Sequence, residues 1–294
     1  MKHWLSAVGL SGVFFLTAPY PYKALDTAAK GLCDTPLVLP AGLLVCRVVG
    51  DFPKACQQAL TSKMGAAYPI WVRELAKTWE GLPYGSGGAG LKPHEILLNL
   101  AQMDCMTAIE NILALHLTRQ SPHPSPETFA FYLAQVRYST IPPCRWEDRL
   151  HYLTHSFLVW EERGFGSWLP IGQPDPRPIH YLSDHRQKYP GFTDWAYLRK
   201  VEARLSQHPR YYIPTPEVQA WLPLLRDGDL IAFVSTEEGL DVSHVGVFFW
   251  EGTKATFAHA SLKARRWVVS EDLCAYLDKR RQKVAGIAVF RPFP

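Results

Sequence analysis

One cysteine and two histidines of this 294-residue chain have the types and settings that nucleophilic chemistry needs. Cys105 follows Met103 and Asp104 and precedes the apolar positions Ala108, Ile109, Ile112, Leu113 and Leu115. Asp is a favoured N-cap, so the spacing predicts a helix from Cys105 to about residue 117 with the thiol in its first turn. A sulfur there faces roughly half a unit of positive charge. Such a field draws a thiol pKa from about 8.5 towards roughly 3.5–7.5, where thiolate exists at neutral pH. The backbone N–H groups of the same turn can receive a developing oxyanion. A structural cysteine has no need of that position.

A sulfur nucleophile needs a base, and the base needs a partner to orient it. His244 opens the strand-like run DVSHVGV (241–247), and His259 lies in FAHAS (257–261). On adjacent antiparallel strands, one imidazole can reach the thiol while the other holds it from behind. Either histidine alone has the ordinary reading of a core residue; the combination with Cys105 is what points to catalysis. Asp241 reads as a turn residue before its strand and is left out of the site. Cys105, His244 and His259 could also be the three ligands of a catalytic zinc. No H-E-x-x-H run or close Cys/His pair supports that alternative, so the sequence calls for neither a metal nor a cofactor.

The elements that must carry these residues divide the chain. Ile70, Trp71, Leu75 and Trp79 recur at helical spacing and predict an amphipathic helix over 68–79. A glycine-rich loop, GLPYGSGGAG (81–90), follows; it lacks the Lys-Ser/Thr ending of a phosphate-binding loop. Pro93 suits the first turn of a helix, expected to run to about 102, and a further helix is expected over 126–138. Residues 141–216 are rich in Pro, Trp, Tyr and His with little periodicity, which reads as an irregular insertion that builds or covers a binding site. Beyond Asp229 the texture turns to strands: 230–235, 243–250, 256–261, 266–269 and 284–291, with a helix near 271–281. Helices first and strands second is an α+β layout, helices packed on an antiparallel sheet.

Composition bounds the rest. The chain is 47% hydrophobic and 20% charged, as ordinary globular proteins are. A net charge of +4 suits an anionic partner such as a carboxylate-bearing peptide and is too weak to argue for nucleic acid. Aromatic residues make up 13% of the chain, enough to stack on sugar rings, although a bulky core explains them equally well. Met1-Lys2-His3, an apolar run over 5–18 and Pro19 have the layout of a secretory signal, expected to span 1–24. The run is too short to cross a bilayer, and no second apolar stretch approaches that length. The protein is therefore expected to be exported, periplasmic or secreted, without stable membrane insertion. Residues 25–66 form a Cys-bearing extension wrapped on a main domain of 67–294. A disulfide among Cys33, Cys46 and Cys56 is expected, with its connectivity open, and Cys144 and Cys274 are expected to be buried or paired. Oligomeric state is not readable.

Taken together, these residues resemble the NlpC-type, papain-like cell-wall peptidases, and more specifically the N-acetylmuramoyl-L-alanine amidase-like family, formerly a domain of unknown function. The matching pieces are Tyr84 with its glycine loop, HEILLNLAQMDCMTAIENILAL (94–115), Arg149-Leu150-His151-Tyr152, RDGDLIAFVSTEEGLDVSHVGVFF (226–249), Ala258-His259-Ala260-Ser261, and GIAVFRP (286–292). They span most of 67–294; the stretch after Tyr152 departs from the family pattern. The resemblance implies a papain-like α+β fold and hydrolysis of an amide bond in peptidoglycan fragments (muropeptides). It makes Cys105 the nucleophile, His244 the general base, His259 the orienting member, and Tyr84 a neighbour of the sulfur that helps hold the oxyanion. The bond expected is that between the muramoyl lactyl group and L-Ala, often in anhydromuropeptides. A γ-D-glutamyl-diaminopimelate endopeptidase with the same Cys/His site is the alternative within the superfamily, and a non-catalytic glycan-binding module the alternative outside it. Arg149, His151 and Tyr152 are candidates for substrate contacts, set against the plainer reading that Arg149 pairs with Glu147 or Asp148 and Tyr152 packs inward.

Overall fold

The computed structural model describes residues 34–39, 42–85, 95–141, 146–189 and 191–294, all within one unit. The expected signal over 1–24, Cys33, Cys144 and the loop over 86–90 lie outside the described residues.

The chain begins with strands β1 (Asp34–Leu39) and β2 (Gly42–Val49), then helices α1 (Phe52–Thr61) and α2 (Tyr68–Thr78). Strand β3 (Glu95–Asn99) pairs in parallel with β2, Val45 opposite Glu95 through Val49 opposite Asn99, and completes a three-stranded sheet. A helix was expected over 93–102. The run EILLN is a short apolar segment whose type periodicity cannot settle, and its pairing with β2, some fifty residues away, makes it a strand. Helices α3 (Cys105–Gln120) and α4 (Pro126–Arg137) follow as expected, each with a side-chain cap, from Asp104 and Ser125. Phe52 of α1 meets Phe129 of α4 with ring centres 5.3 Å apart, so the segment before residue 67 contributes to the main core.

Residues 141–216 carry more regular structure than expected. Helix α5 (Leu153–Glu162) is buried nearly all round, which hides its periodicity. Short strands β4 (Gly166–Trp168) and β5 (Gln173–Pro174) and helix α6 (Tyr181–Asp184) lead to α7 (Trp195–Gln207), whose cap is Asp194. Leu198 and Leu205 of α7 form a third small core with Tyr152, Ile179, Leu182 and Phe192. The segment therefore has its own hydrophobic centre.

Strand β6 (Tyr211–Pro214) and helix α8 (Val218–Trp221) precede the main sheet: β7 (Leu230–Ser235), β8 (Val242–Glu251), β9 (Lys254–Ser261), β10 (Arg266–Asp272), α9 (Leu273–Asp278) and β11 (Val284–Pro292). The order is β10-β9-β8-β7-β11-β6-β5, all antiparallel, with β4 also on β11. Helix α3 packs on β8 and β9. The result is the α+β arrangement of helices on an antiparallel sheet. Helix α9 is shorter than expected because residues 271 and 272 stay in β10 past a register shift between Val268 and Glu271. Ser270 lies in that shift at φ +64°, a conformation rare for a residue with a side chain.

The aromatic content goes largely into this core. Trp71, Trp160 and Trp267 are fully buried, and each indole N–H donates to a carbonyl, of Ala59, Val136 and Ala76 respectively. Cys56, expected as a disulfide partner, is a free buried thiol within the apolar cluster, where burial pushes it up to about 12. Cys274 is also free and sits half-buried near the Gln219 amide. Among the described residues no helix is long and apolar enough to cross a membrane.

Candidate active site

The approach to Cys105 is held by three turns of hydrogen bonds. At the end of β3 the Asn99 side-chain oxygen accepts from the N–H groups of Ala101 (3.0 Å) and Gln102 (3.1 Å). The Asn99 carbonyl accepts from the buried Asn111 amide at 2.9 Å, tying that turn to α3. Met103 then exchanges backbone hydrogen bonds with Pro83 and Gly85, which lays Tyr84 alongside the helix entrance. Finally Asp104 caps α3: its carboxylate accepts from the Thr107 N–H at 2.7 Å, and the Thr107 hydroxyl accepts from the Asp104 N–H at 2.9 Å. The reciprocal cap uses the Thr107 N–H, so the N–H groups of Cys105 and Met106 remain directed at the sulfur, joined by that of Val245 from β8. Cys105 is partly exposed.

Strands β8 and β9 bring the two histidines together. His244 Nε2 lies 2.6 Å from His259 Nδ1, with the rings edge to face. His259 is buried, and its Nε2 has no hydrogen-bond partner; the nearest carboxylate is Glu271 Oε2 at 4.0 Å. We assign the His259 proton to Nε2, the nitrogen on the side of Glu271. His259 Nδ1 is then the acceptor and His244 Nε2 the donor, which leaves His244 Nδ1 as the unprotonated nitrogen available to a thiol. Gly246 makes room for the pair: a Cβ there would stand 2.7 Å from the Ala258 carbonyl oxygen and 3.2 Å from the His259 Cβ. Tyr276 of α9 backs both rings, at 6.1 Å from His244 and 5.6 Å from His259, and Phe233 and Phe257 complete the aromatic bed. Among the described residues no three His, Cys, Asp or Glu side chains converge as metal ligands.

The electrostatics differ from the expectation of a thiolate. Burial pushes the Cys105 thiol up to about 12, the neighbouring Asp104 carboxylate adds to the effect, and the three backbone hydrogen bonds only partly oppose it. Burial holds His244 down to about 4, with the Arg280 guanidinium adding to it. His259 is held at about 3 by burial, by His244 and then by Arg280. The helix-terminus field is thus outweighed by desolvation and by the carboxylate that caps the same helix. At neutral pH Cys105 is then a thiol and His244 a neutral imidazole. Burial, Cys105 and Asp104 raise the Tyr84 phenol, so Tyr84 stands beside the sulfur as a protonated hydrogen-bond donor.

The remaining candidates are engaged elsewhere. Arg149 donates to Glu110 Oε1 at 3.0 Å, and Arg137 donates to Oε2 of the same fully buried carboxylate at 2.7 Å. Glu147 is engaged elsewhere, accepting from the backbones of Thr193 and Asp194. His151 bonds the Trp146 carbonyl at 3.1 Å and packs on Phe192, and burial holds it at about 3. Tyr152 is buried, donates to Glu202 at 2.8 Å and accepts from the Leu182 N–H at 2.8 Å. Arg149 thus fastens the 141–216 segment to α3, whereas His151 and Tyr152 hold that segment together from within. Asp241 fastens it from the other side, accepting from the Thr154 N–H at the start of α5 (2.8 Å) and from its neighbour Val242 (2.7 Å). Sequence reasoning missed Glu271, Tyr276 and Arg280. Their signal is the β10 register shift followed by a short helix, which sets them behind the histidines, and neither is visible in local periodicity.

The family model for N-acetylmuramoyl-L-alanine amidase-like proteins matches residues 74–287. Among solved structures, an N-acetylmuramoyl-L-alanine amidase from Bacteroides uniformis is 28% identical, covers 81% of this chain and 99% of its own, and superposes with a TM-score of 0.68. A Bacteroides fragilis protein described provisionally as a xylanase is 26% identical over 74% of this chain and 99% of its own, TM-score 0.66. A Legionella pneumophila protein of the DUF1460 family shares the fold at 17% identity, covering 82% of this chain and 94% of its own, TM-score 0.62. No curated protein matches the chain.

Proposed function

The chain belongs to the N-acetylmuramoyl-L-alanine amidase-like family, and from that premise we propose that it is a cysteine-dependent amidase of NlpC type, with a papain-like fold, that cleaves the bond between the muramoyl lactyl group and L-Ala in muropeptides and anhydromuropeptides. The observation that carries this reading is the 2.6 Å contact of His244 Nε2 with His259 Nδ1, beside a sulfur that the Val245 N–H reaches from the strand of His244. The charged start and apolar run over 5–18 make it an exported enzyme.

The chemistry begins from the neutral pair. As Cys105 Sγ attacks the lactyl carbonyl carbon, its proton passes to His244 Nδ1, so thiolate forms only as the C–S bond does. The N–H groups of Cys105 and Met106 and the Tyr84 hydroxyl are the donors for the tetrahedral oxyanion. When the C–N bond breaks, the His244 imidazolium returns the proton to the L-Ala nitrogen and the peptide leaves. His244 then deprotonates water, which attacks the thioester, and Cys105 recovers its proton with release of the muramoyl acid. His259 holds the tautomer throughout, and general acid–base help of this kind contributes roughly 10²–10⁴-fold.

Mass analysis of anhydromuropeptides incubated with wild type and Cys105→Ala tests the proposal. Free anhydro-disaccharide and intact stem peptide from wild type alone support it. Cleavage after D-Glu would move the activity to the γ-D-glutamyl bond with the same residues. Activity that survives Cys105→Ala and iodoacetamide but not a chelator would sink the cysteine mechanism, and no product at all would bring forward a glycan-binding role.

A further inference from the structure

Just beyond α9 stands a guanidinium that carries no anion among the described residues. Arg280 is partly exposed, and its Cζ lies 3.6 Å from the centre of the Tyr276 ring. Tyr276 in turn lies roughly parallel to His244 at 6.1 Å. The next residue, Arg281, takes Asp278 at 2.7 Å, whereas no carboxylate among the described residues pairs with Arg280. The guanidinium also hydrogen-bonds the Tyr276 hydroxyl, and a planar guanidinium fixed in this way keeps further donors and is the side chain best suited to bind a carboxylate. The stack Arg280–Tyr276–His244 puts the guanidinium one aromatic ring away from His244.

We propose that Arg280 is the recognition point for a carboxylate on the peptide half of the substrate. The inference rests on the amidase reading above. In a muramoyl peptide the lactyl carboxyl is itself the scissile amide, so a free carboxylate next to the bond belongs to the departing peptide, as on a D-Glu residue following L-Ala. The occupant is therefore an acidic peptide rather than a neutral sugar.

Seating that carboxylate has a second effect. The charged groups around the imidazoles are Arg280 from α9, Glu271 from β10 at 4.0 Å from His259, and Asp104 beside Cys105 on α3; Tyr276 and Tyr84 are the titratable neighbours, with Arg265 near Tyr84. Of these, Arg280 is the cation that opposes protonation of both histidines. A bound carboxylate neutralises it, so His244 becomes a stronger base in the complex than in the free enzyme.

The test compares muramoyl-L-Ala-D-Glu with muramoyl-L-Ala-D-isoglutamine, in which the α-carboxylate is an amide, using the full-length protein. Wild type is expected to prefer the carboxylate by roughly 10- to 150-fold in kcat/KM, the range for hydrogen bonds to a charged group. Arg280→Gln is expected to remove that preference, and Arg280→Lys to restore part of it. The acid limb of kcat, which reports the complex, should lie above that of kcat/KM in wild type and coincide with it in Arg280→Gln on the carboxylate substrate. Equal cleavage of both compounds by wild type, or a preference that persists in Arg280→Gln, overturns the proposal while the amidase stands. If wild type cleaves neither, the amidase reading fails and this inference with it.

Discussion

Replacing Asp104 by Asn separates two roles that the structure loads onto one side chain. The carboxylate caps α3 through the Thr107 N–H at 2.7 Å, and it raises the thiol of the very next residue. Asn is as good an N-cap as Asp, so the helix start should persist with a stability change below about 1 kcal/mol, or no more than about 3 °C in Tm. The charge effect has no such replacement. With the thiol at about 12, only about one sulfur in 10⁴ is thiolate at pH 8. Removing a like charge at contact range lowers a pKa by about 1–3 units. The thiolate fraction at pH 8 then rises about 10- to 1,000-fold, but a less basic sulfur is also a weaker nucleophile, with a Brønsted slope of about 0.4–0.5. The net gain in the rate of alkylation by iodoacetamide is therefore about 3- to 60-fold. Mass spectrometry of the peptide containing Cys105 reads that rate apart from the other five cysteines. Wild type should show a rate still climbing above pH 9. A wild-type plateau below pH 8, or a variant that folds normally and reacts no faster, would refute the assignment of Asp104 as a brake on the thiol.

Three further outcomes are expected. The base must be neutral to accept the thiol proton, and His244 is held at about 4, so kcat/KM for a neutral substrate should fall only as pH drops through about 4 to 5; an acid limb near 6.5 would show an ordinary, solvated imidazole. Glu110→Gln leaves Arg137 and Arg149 without their shared counter-charge and should cost about 3–5 kcal/mol in urea unfolding, whereas Arg149→Ala should weaken the fold and leave KM unchanged. A raised KM in folded Arg149→Ala would return that residue to the substrate. Gly246→Ala pushes a methyl group against the Ala258 carbonyl and the His259 Cβ, so kcat should drop about 10²-fold, the scale for displacing a reacting group by about 1 Å; normal turnover would mean that β8 and β9 can part without moving the histidine pair.

What could be read from the chain was local. The Asp104 cap and the apolar positions after Cys105 define α3 without help from the rest of the molecule, and the β-branched and aromatic runs after Asp229 define β7 to β11. His244 and His259 stand out because they fall on consecutive strands. The misread elements and pairings involve distant partners. EILLN becomes β3 through its parallel neighbour β2. Arg149 finds Glu110 thirty-nine residues back. Helix α5 shows no amphipathic stripe because apolar and polar faces alike are buried, its Thr154 N–H held by Asp241 and its His155 ring by Arg204. The thiol's ionisation escaped for another reason: a cap and a helix-end field can be inferred from a few residues, whereas desolvation depends on everything folded around the sulfur.

The parallel pairing of β2 with β3 bears on any attempt to trim the protein. A fragment cut to the family-matched region, 74–287, looks like a natural minimal catalytic piece. Yet it would strip β3 of its hydrogen-bonded neighbour and take Phe52 away from Phe129. The bared β3 is the strand that runs directly into the Asn99 turn and Cys105. An open strand edge invites another chain to fill it. Shortening the front of the protein would thus tend to glue molecules together at the doorstep of the nucleophile, and the first sign would be self-association rather than lost chemistry.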